Sequence, residues 1–130
     1  MQTTANNTRT MGNKQVINSI VYKCQTIAQK SEMTHRHGAV IVYNNEIVAE
    51  GWNHLSDSLV NLMSVHAEVS AINQLKKKMR GEFIPLNQCD LYVVRIGGGS
   101  CKDSLRTSKP CDRCSSVIQR NGLRRVFYST

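Results

Sequence analysis

His66-Ala67-Glu68, answered further on by Pro110-Cys111-Asp112-Arg113-Cys114, is the pair of segments on which the reading of this chain turns. One imidazole and two thiolates can hold a zinc ion and leave its fourth position open, as a catalytic zinc needs, because water must sit there. Glu68 lies two residues past the histidine. It is not needed as a ligand, so it is free to move protons. Both segments read as helix starts. Cys111 and Cys114 stand at i and i+3 and share a helical face, and Pro110 suits the position just ahead of a helix. Helix N-termini favour anions and lower thiol pKa values, so two thiolates there are ready to bind. His66, from the facing helix start, is expected to meet them at the edge of the sheet.

Outward from this pair, hydrophobic spacing supplies the other elements. Val16, Ile17, Ile20, Val21, Cys24, Ile27 and Ala28 recur at three and four residues, which predicts an amphipathic helix over about Lys14 to Gln29. Gly38 to Tyr43 is a short run rich in β-branched residues. Asn44-Asn45 is turn chemistry, and Glu46 to Glu50 reads as a second strand, so the three make a hairpin. Gly51 to Met63 is expected to be a polar loop. Ser64 is expected to cap the helix that carries Glu68, with Val65, Val69, Ile72 and Leu75 as its stripe and Lys76-Lys77-Lys78 complementing its dipole. Leu91 to Val94 reads as a buried strand, and Gly97 to Lys109 as a long loop. The second cysteine helix runs from about Cys111 to Arg120, with Val117 and Ile118 inward and Asn121-Gly122 as its stop. Val126 to Tyr128 is the last strand. Strands alternating with helices in the second half imply parallel pairing there. The expected architecture is a three-layer α/β/α fold, a mixed sheet of four to five strands with helices on both faces.

The totals set bounds. A chain of 130 residues is read as one domain, residues 14–130, behind a loose polar arm, residues 1–13. No apolar run approaches the ~20 residues of a membrane span, and the N-terminus lacks the apolar stretch of a secretory signal. Cysteine is present in an odd number, five, which favours a reducing, cytoplasmic setting over a disulfide framework. A net charge of +8 fits a phosphate-bearing ligand or a nucleic acid without choosing between them.

The ligand set bears on the reaction. Two thiolates cancel the formal charge of Zn²⁺, so bound water is acidified less than beside neutral histidines alone. A carboxylate must then take the proton, and Glu68 fills that role. It would pass protons on to a ring nitrogen and to departing ammonia, and burial beside a base should raise its pKa. The competing reading is a closed structural zinc with Cys89, Cys101 or His54 as fourth ligand. His35 and His37, with Cys24 or Cys101, are a candidate second metal group. Trp52 is a candidate for stacking a base, against the alternative of packing in the core.

On these residues the sequence resembles the zinc-dependent cytidine and deoxycytidylate deaminase superfamily, whose signature is H-x-E followed by P-C-x-x-C. The likeness runs from Lys14 to Tyr128 and includes Gly38-Ala39-Val40-Ile41-Val42 and Gly51-Trp52-Asn53. It implies that Asn53 hydrogen-bonds the substrate and that the backbone of Ala67 contacts the base edge. It implies hydrolytic deamination of a cytosine nucleotide or nucleoside, with deoxycytidylate favoured. The basic residues Lys102, Arg106 and Lys109 would then clamp a phosphate or a nucleic-acid strand. The stretch from Glu68 to Pro110 is longer than in compact members. The chain stops after its fourth strand, without the fifth strand and last helix that many members carry. Small members usually assemble, so a homodimer or larger homo-oligomer is expected. Two other functions compete: a polynucleotide deaminase acting on tRNA adenosine or single-stranded cytosine, and a non-catalytic nucleotide-binding module with a structural zinc. The seven aromatic residues are few for a strand-binding track.

Overall fold

The computed structural model of the chain describes residues 2–3, 14–56, 64–97 and 105–130. The elements run β1 (Gln2–Thr3), α1 (Lys14–Ala28), β2 (Arg36–Tyr43), β3 (Glu46–Trp52), β4 (His54–Leu55), β5 (Ser64–Val65), α2 (Ala67–Lys78), β6 (Asp90–Ile96), β7 (Leu105–Arg106), α3 (Asp112–Arg120) and β8 (Arg125–Tyr128). A single 3₁₀ turn, Leu86–Gln88, leads into β6.

Four longer strands carry the sheet, in the order β8-β6-β2-β3. Two short ones extend it, β1 beside β8 and β7 beside β6. β6 and β8 are parallel, while β2 is antiparallel to both β3 and β6. The mixed sheet is therefore as expected, with two additions. Residues 2–3, read as part of a loose arm, pair with β8 and cover that edge. The described end of the Gly97–Lys109 stretch, read as loop, contains β7.

The hairpin turn follows from its residues. Asn44 and Asn45 hold φ of 52° and 62°, left-handed values that asparagine tolerates and that a two-residue hairpin turn requires. The strands reach further than their apolar runs: β2 starts at Arg36 and β3 continues through Trp52, into the segment read as polar loop.

Period-2 alternation divides the core in two. Val40, Val42, Tyr92, Val94 and Phe127 face α1 with Ile20, Cys24 and Ile27. Ala39, Ile41, Leu91, Val93 and Val126 face the other way, with Ala71, Ile72 and Leu75 of α2 and Ile118 of α3. Each fully buried aliphatic side chain contributes about 1.5–3 kcal/mol. Among the described residues, no helix is long and apolar enough to cross a membrane.

Two glycines set how closely the helices lie on the hairpin. A Cβ on Gly38 would fall 2.2 Å from the Cys24 carbonyl oxygen of α1. One on Gly51 would fall 2.4 Å from the Ala71 nitrogen and 2.7 Å from the Ala67 oxygen of α2. The obstacles are backbone, so they cannot swing aside. Gly51→Ala is expected to destabilise the fold by about 3 kcal/mol, at the upper end for overpacking. Gly81→Ala, where a Cβ meets nothing within 4 Å, is the control. Urea midpoints at unchanged slope would measure both, and equal midpoints would contradict the close approach.

Candidate active site

Each of the two helices that carry the motifs begins at a candidate ligand. His66 is the N-cap of α2, in extended conformation at φ −73° and ψ 154°, with no side-chain capping bond. Its carbonyl accepts the Ser70 N–H at 2.9 Å. Ser64, expected as the cap, instead lies in β5 and pairs with Leu55 of β4. That strand pairing carries the chain two residues further before the helix starts, and Val65 leaves the helical stripe with it. The buried face of α2 is Ala67, Glu68, Ala71, Ile72 and Leu75. Cys111 is the N-cap of α3, and its sulfur accepts the Cys114 N–H at 3.5 Å.

The two starts meet as expected. His66 Nδ1 is 3.1 Å from Cys114 Sγ and 3.8 Å from Cys111 Sγ. The donor atoms of all three residues lie within 4.8 Å of one another. Tetrahedral zinc with bonds of about 2.0–2.3 Å needs donors about 3.5–3.8 Å apart, a spacing that the 3.1 and 3.8 Å separations bracket, so small side-chain shifts would seat the ion. No other His, Cys, Asp or Glu among the described residues joins the group. Cys89 sits in the core with its thiol on the Pro85 carbonyl, and the His54 ring is 2.9 Å from its neighbour's Leu55 oxygen. Of the three candidates for a closing fourth ligand, Cys101 lies outside the described residues.

Beside the group is a cavity of about 250 Å³ lined by His35, His37, Asn53, Ser64, His66, Ala67, Glu68, Ser108, Lys109 and Cys111. This is below the ~300 Å³ at which drug-sized sites begin, a size for a small ligand. Glu68 is only 5% exposed. Burial raises its pKa, against smaller lowering effects from a backbone hydrogen bond, the nearby His66 and a hydrogen bond to Cys114. Burial likewise pushes the Cys114 thiol well up, and the Glu68 and Cys111 groups add to the effect. Acidic groups crowded this closely are eased by a cation among them.

The remaining candidates divide. Lys109 and Ala67 line the cavity. Asn53 lines it too, and it also ties down the start of β2: its Oδ1 accepts the His37 N–H at 2.9 Å and its Nδ2 donates to the His35 carbonyl at 2.5 Å. Each end of the amide keeps one further hydrogen-bonding valence for a ligand. Trp52, a neighbour along the strand, is turned to the α1 side, packed against that core with Lys30 Nζ 4.9 Å from its ring centre. It is not among the cavity residues, because alternation sends Trp52 and Asn53 to opposite faces. Arg106 is in β7, exposed and outside the cavity wall. Lys102 lies outside the described residues.

His35 and His37 form no second metal group among the described residues. Cys24 is in the α1 core with its thiol on the Tyr92 carbonyl, and the two histidines line the cavity instead. Burial lowers the pKa of His37 against a smaller raising effect from the His35 backbone hydrogen bond, and the charges of Arg95, His66 and His35 add to the lowering. Sequence reading also missed Ser108. This buried hydroxyl lies 2.8 Å from both the Val93 carbonyl and Ser129 Oγ, fastening the segment before Lys109 to the ends of β6 and β8.

Thiol reactivity should separate these environments. Burial pushes the Cys24 thiol up to about 12, so iodoacetamide should leave it unmodified in the folded protein. Cys111 is exposed, and it should react after chelation and be protected when zinc is added. Peptide mass mapping would read both, and Cys111 labelling at one rate with and without zinc would remove it from the ligand set.

Solved structures that share the fold include three deaminases. The dCMP deaminase of cyanophage S-TIM5, in complex with dCMP and dUMP, has a TM-score of 0.67 at 20% identity, covering 91% of this chain and 83% of that one. A mutant cytidine deaminase from Mycobacterium tuberculosis scores 0.60 at 18%, covering 88% and 84%. Guanine deaminase from Bacillus subtilis scores 0.57 at 25%, covering 85% and 62%. The fold thus serves deaminases named for different bases and does not select among them. The sequence profile of the cytidine and deoxycytidylate deaminase zinc-binding region matches residues 13–130, and the chain belongs to that family of zinc-dependent hydrolytic deaminases.

Proposed function

We propose that this chain hydrolyses the exocyclic amino group of a cytosine nucleotide, with deoxycytidylate favoured, to give the uracil form and ammonia. The observation that carries the reading is the Glu68 carboxyl, buried in the same cavity wall as His66 and Cys111 of the three-donor group. His66, Cys111 and Cys114 would hold a zinc ion, which when bound would supply the Lewis acidity that acidifies the attacking water. Glu68 takes the water's two protons in turn, as the water oxygen bonds to the base carbon and the carbon–nitrogen bond breaks, and delivers one to the ring nitrogen and one to the departing ammonia, a cycle that its raised pKa favours. Ala67 offers backbone to the base edge. Asn53 uses its remaining valences on the substrate, held in place by its bonds to the His35–His37 strand. Lys109 supplies positive charge on the cavity wall, and the net charge of +8 suits a phosphate-bearing substrate.

A polynucleotide substrate has less behind it, because Trp52 lies off the cavity. A non-catalytic module would leave the buried Glu68 without a use. Exposed Tyr22, Leu55 and Phe83 support the expected homo-oligomer, which light scattering would count. The free cysteines suit a cytoplasmic setting.

The test incubates zinc-loaded protein with dCMP, cytidine, guanine and a single-stranded oligonucleotide, and follows ammonia. Turnover is expected with dCMP above all. Ammonia from guanine or the oligonucleotide alone would overturn the assigned substrate.

A further inference from the structure

Strand register places His37 opposite Arg95, and Arg95 opposite Arg106. Directly paired residues share a face of the sheet. Here it is the face covered by α2 and α3, since Ala39, Ile41, Leu91 and Val93, of the same parity, lie in their core. A basic row therefore crosses β2, β6 and β7 at the end of the sheet that borders the cavity. His37 opens the row and lines the cavity, as do Ser108 and Lys109 shortly after β7; Arg95, beside His37 on the next strand, stands behind the wall rather than in it. Glu68 is the sole carboxylate among the described lining residues, and its place is beside the metal group.

Within the row Arg95 stands apart. Its Nε is sealed from solvent and has no hydrogen-bond partner among the described residues. Its strand is central, paired to β2 on one side and to β7 and β8 on the other, and its backbone N–H donates to Ser129 Oγ at 3.2 Å. Arg106, by contrast, is exposed on a two-residue edge strand. A guanidinium on rigid backbone with an unspent donor suits a planar or tetrahedral oxyanion, which an arginine fork grips through two oxygens. The burial of His37 lowers its pKa, and the neighbouring Arg95 charge adds to this, so the row's first member adds little charge of its own at neutral pH.

We infer that Arg95 receives the 5′-phosphate of the substrate, with Lys109 as the second charge, and so selects a nucleoside monophosphate over the nucleoside. This rests on reading the cavity as a cytosine-nucleotide deaminase site and names the side chain that reads the phosphate.

The experiment compares kcat/KM for dCMP with that for deoxycytidine in the wild type, Arg95→Met and Arg95→Lys. The dCMP-to-deoxycytidine ratio should fall roughly 10- to 100-fold in Arg95→Met, through KM for dCMP more than kcat, and Arg95→Lys should recover part of it. An unchanged ratio in Arg95→Met overturns the inference and leaves the deaminase reading standing. Should Arg95→Met fail to fold, the ratio in Arg95→Lys decides, a fall supporting the inference and wild-type discrimination overturning it. Should the wild type deaminate neither compound, the deaminase reading falls, and calorimetric titration with dUMP and deoxyuridine tests Arg95 alone. Tighter dUMP binding that weakens in the variants then supports the phosphate contact, and equal binding overturns it.

Discussion

Glu68→Gln is expected to lower kcat for deamination by roughly 10²- to 10⁴-fold, the range that a positioned acid–base group supplies. The substitution isolates one property. Glutamine has nearly the same shape, so it fits a site where Glu68 is 5% exposed and packed at the start of α2. What it lacks is the ability to accept a proton and give it back. Burial leaves little solvent to stand in for the carboxyl, and the same burial holds its pKa up. The ligand donors are untouched, so zinc content, measured by mass spectrometry of metals, should remain stoichiometric. A variant with full zinc and full turnover would remove Glu68 from the chemistry.

Asp90→Ala should produce the largest loss of stability, about 3–5 kcal/mol, the cost of stranding buried charge. Asp90 is 2% exposed and is gripped by two guanidinium forks. Arg124 donates to its two oxygens at 3.0 and 2.9 Å, and Arg125 at 3.0 and 2.8 Å. The Arg125 side chain is itself only 8% exposed, so removing the carboxylate leaves a buried cation unpaired. The position matters as well: Asp90 and Arg125 face each other at the starts of β6 and β8, the parallel pair of the sheet. The pair Lys30–Glu50 is the comparison, with side chains 48% and 27% exposed. Glu50→Gln should cost under about 1 kcal/mol, because solvent screens an ion pair of that kind. Equal shifts of the two urea midpoints would contradict the view that burial makes Asp90 matter.

Much of the fold was readable because its signals are local. Apolar spacing marks α1, Asn44-Asn45 marks the hairpin, and Gly122, at φ 73°, ends α3 as a glycine in that place should. The metal group was readable because its residue types and the two helix starts already specify where the donors must meet. What escaped depends on partners distant in sequence. Residues 2–3 have no strand pattern of their own and become β1 only by pairing with β8. Ser64 resembles a cap but is drawn into β5 by Leu55. The cavity-facing role of His35 and His37 follows from the pairing of β2 with β6 and from the hold of Asn53, neither of which composition or spacing reveals. The place of Trp52 was a question of parity. It turned on β3 continuing past Glu50, and the longer strand put Trp52 on the α1 side.

The helix caps imply a trade-off. Serine, aspartate or asparagine at the first position would hold the free N–H groups of α2 better than His66, which makes no such bond. A variant with aspartate at position 66 would gain stability from a better-closed helix and lose the imidazole. Sturdiness and chemistry thus compete for a single residue, and a search for more heat-resistant versions of this protein would tend to select inert ones there.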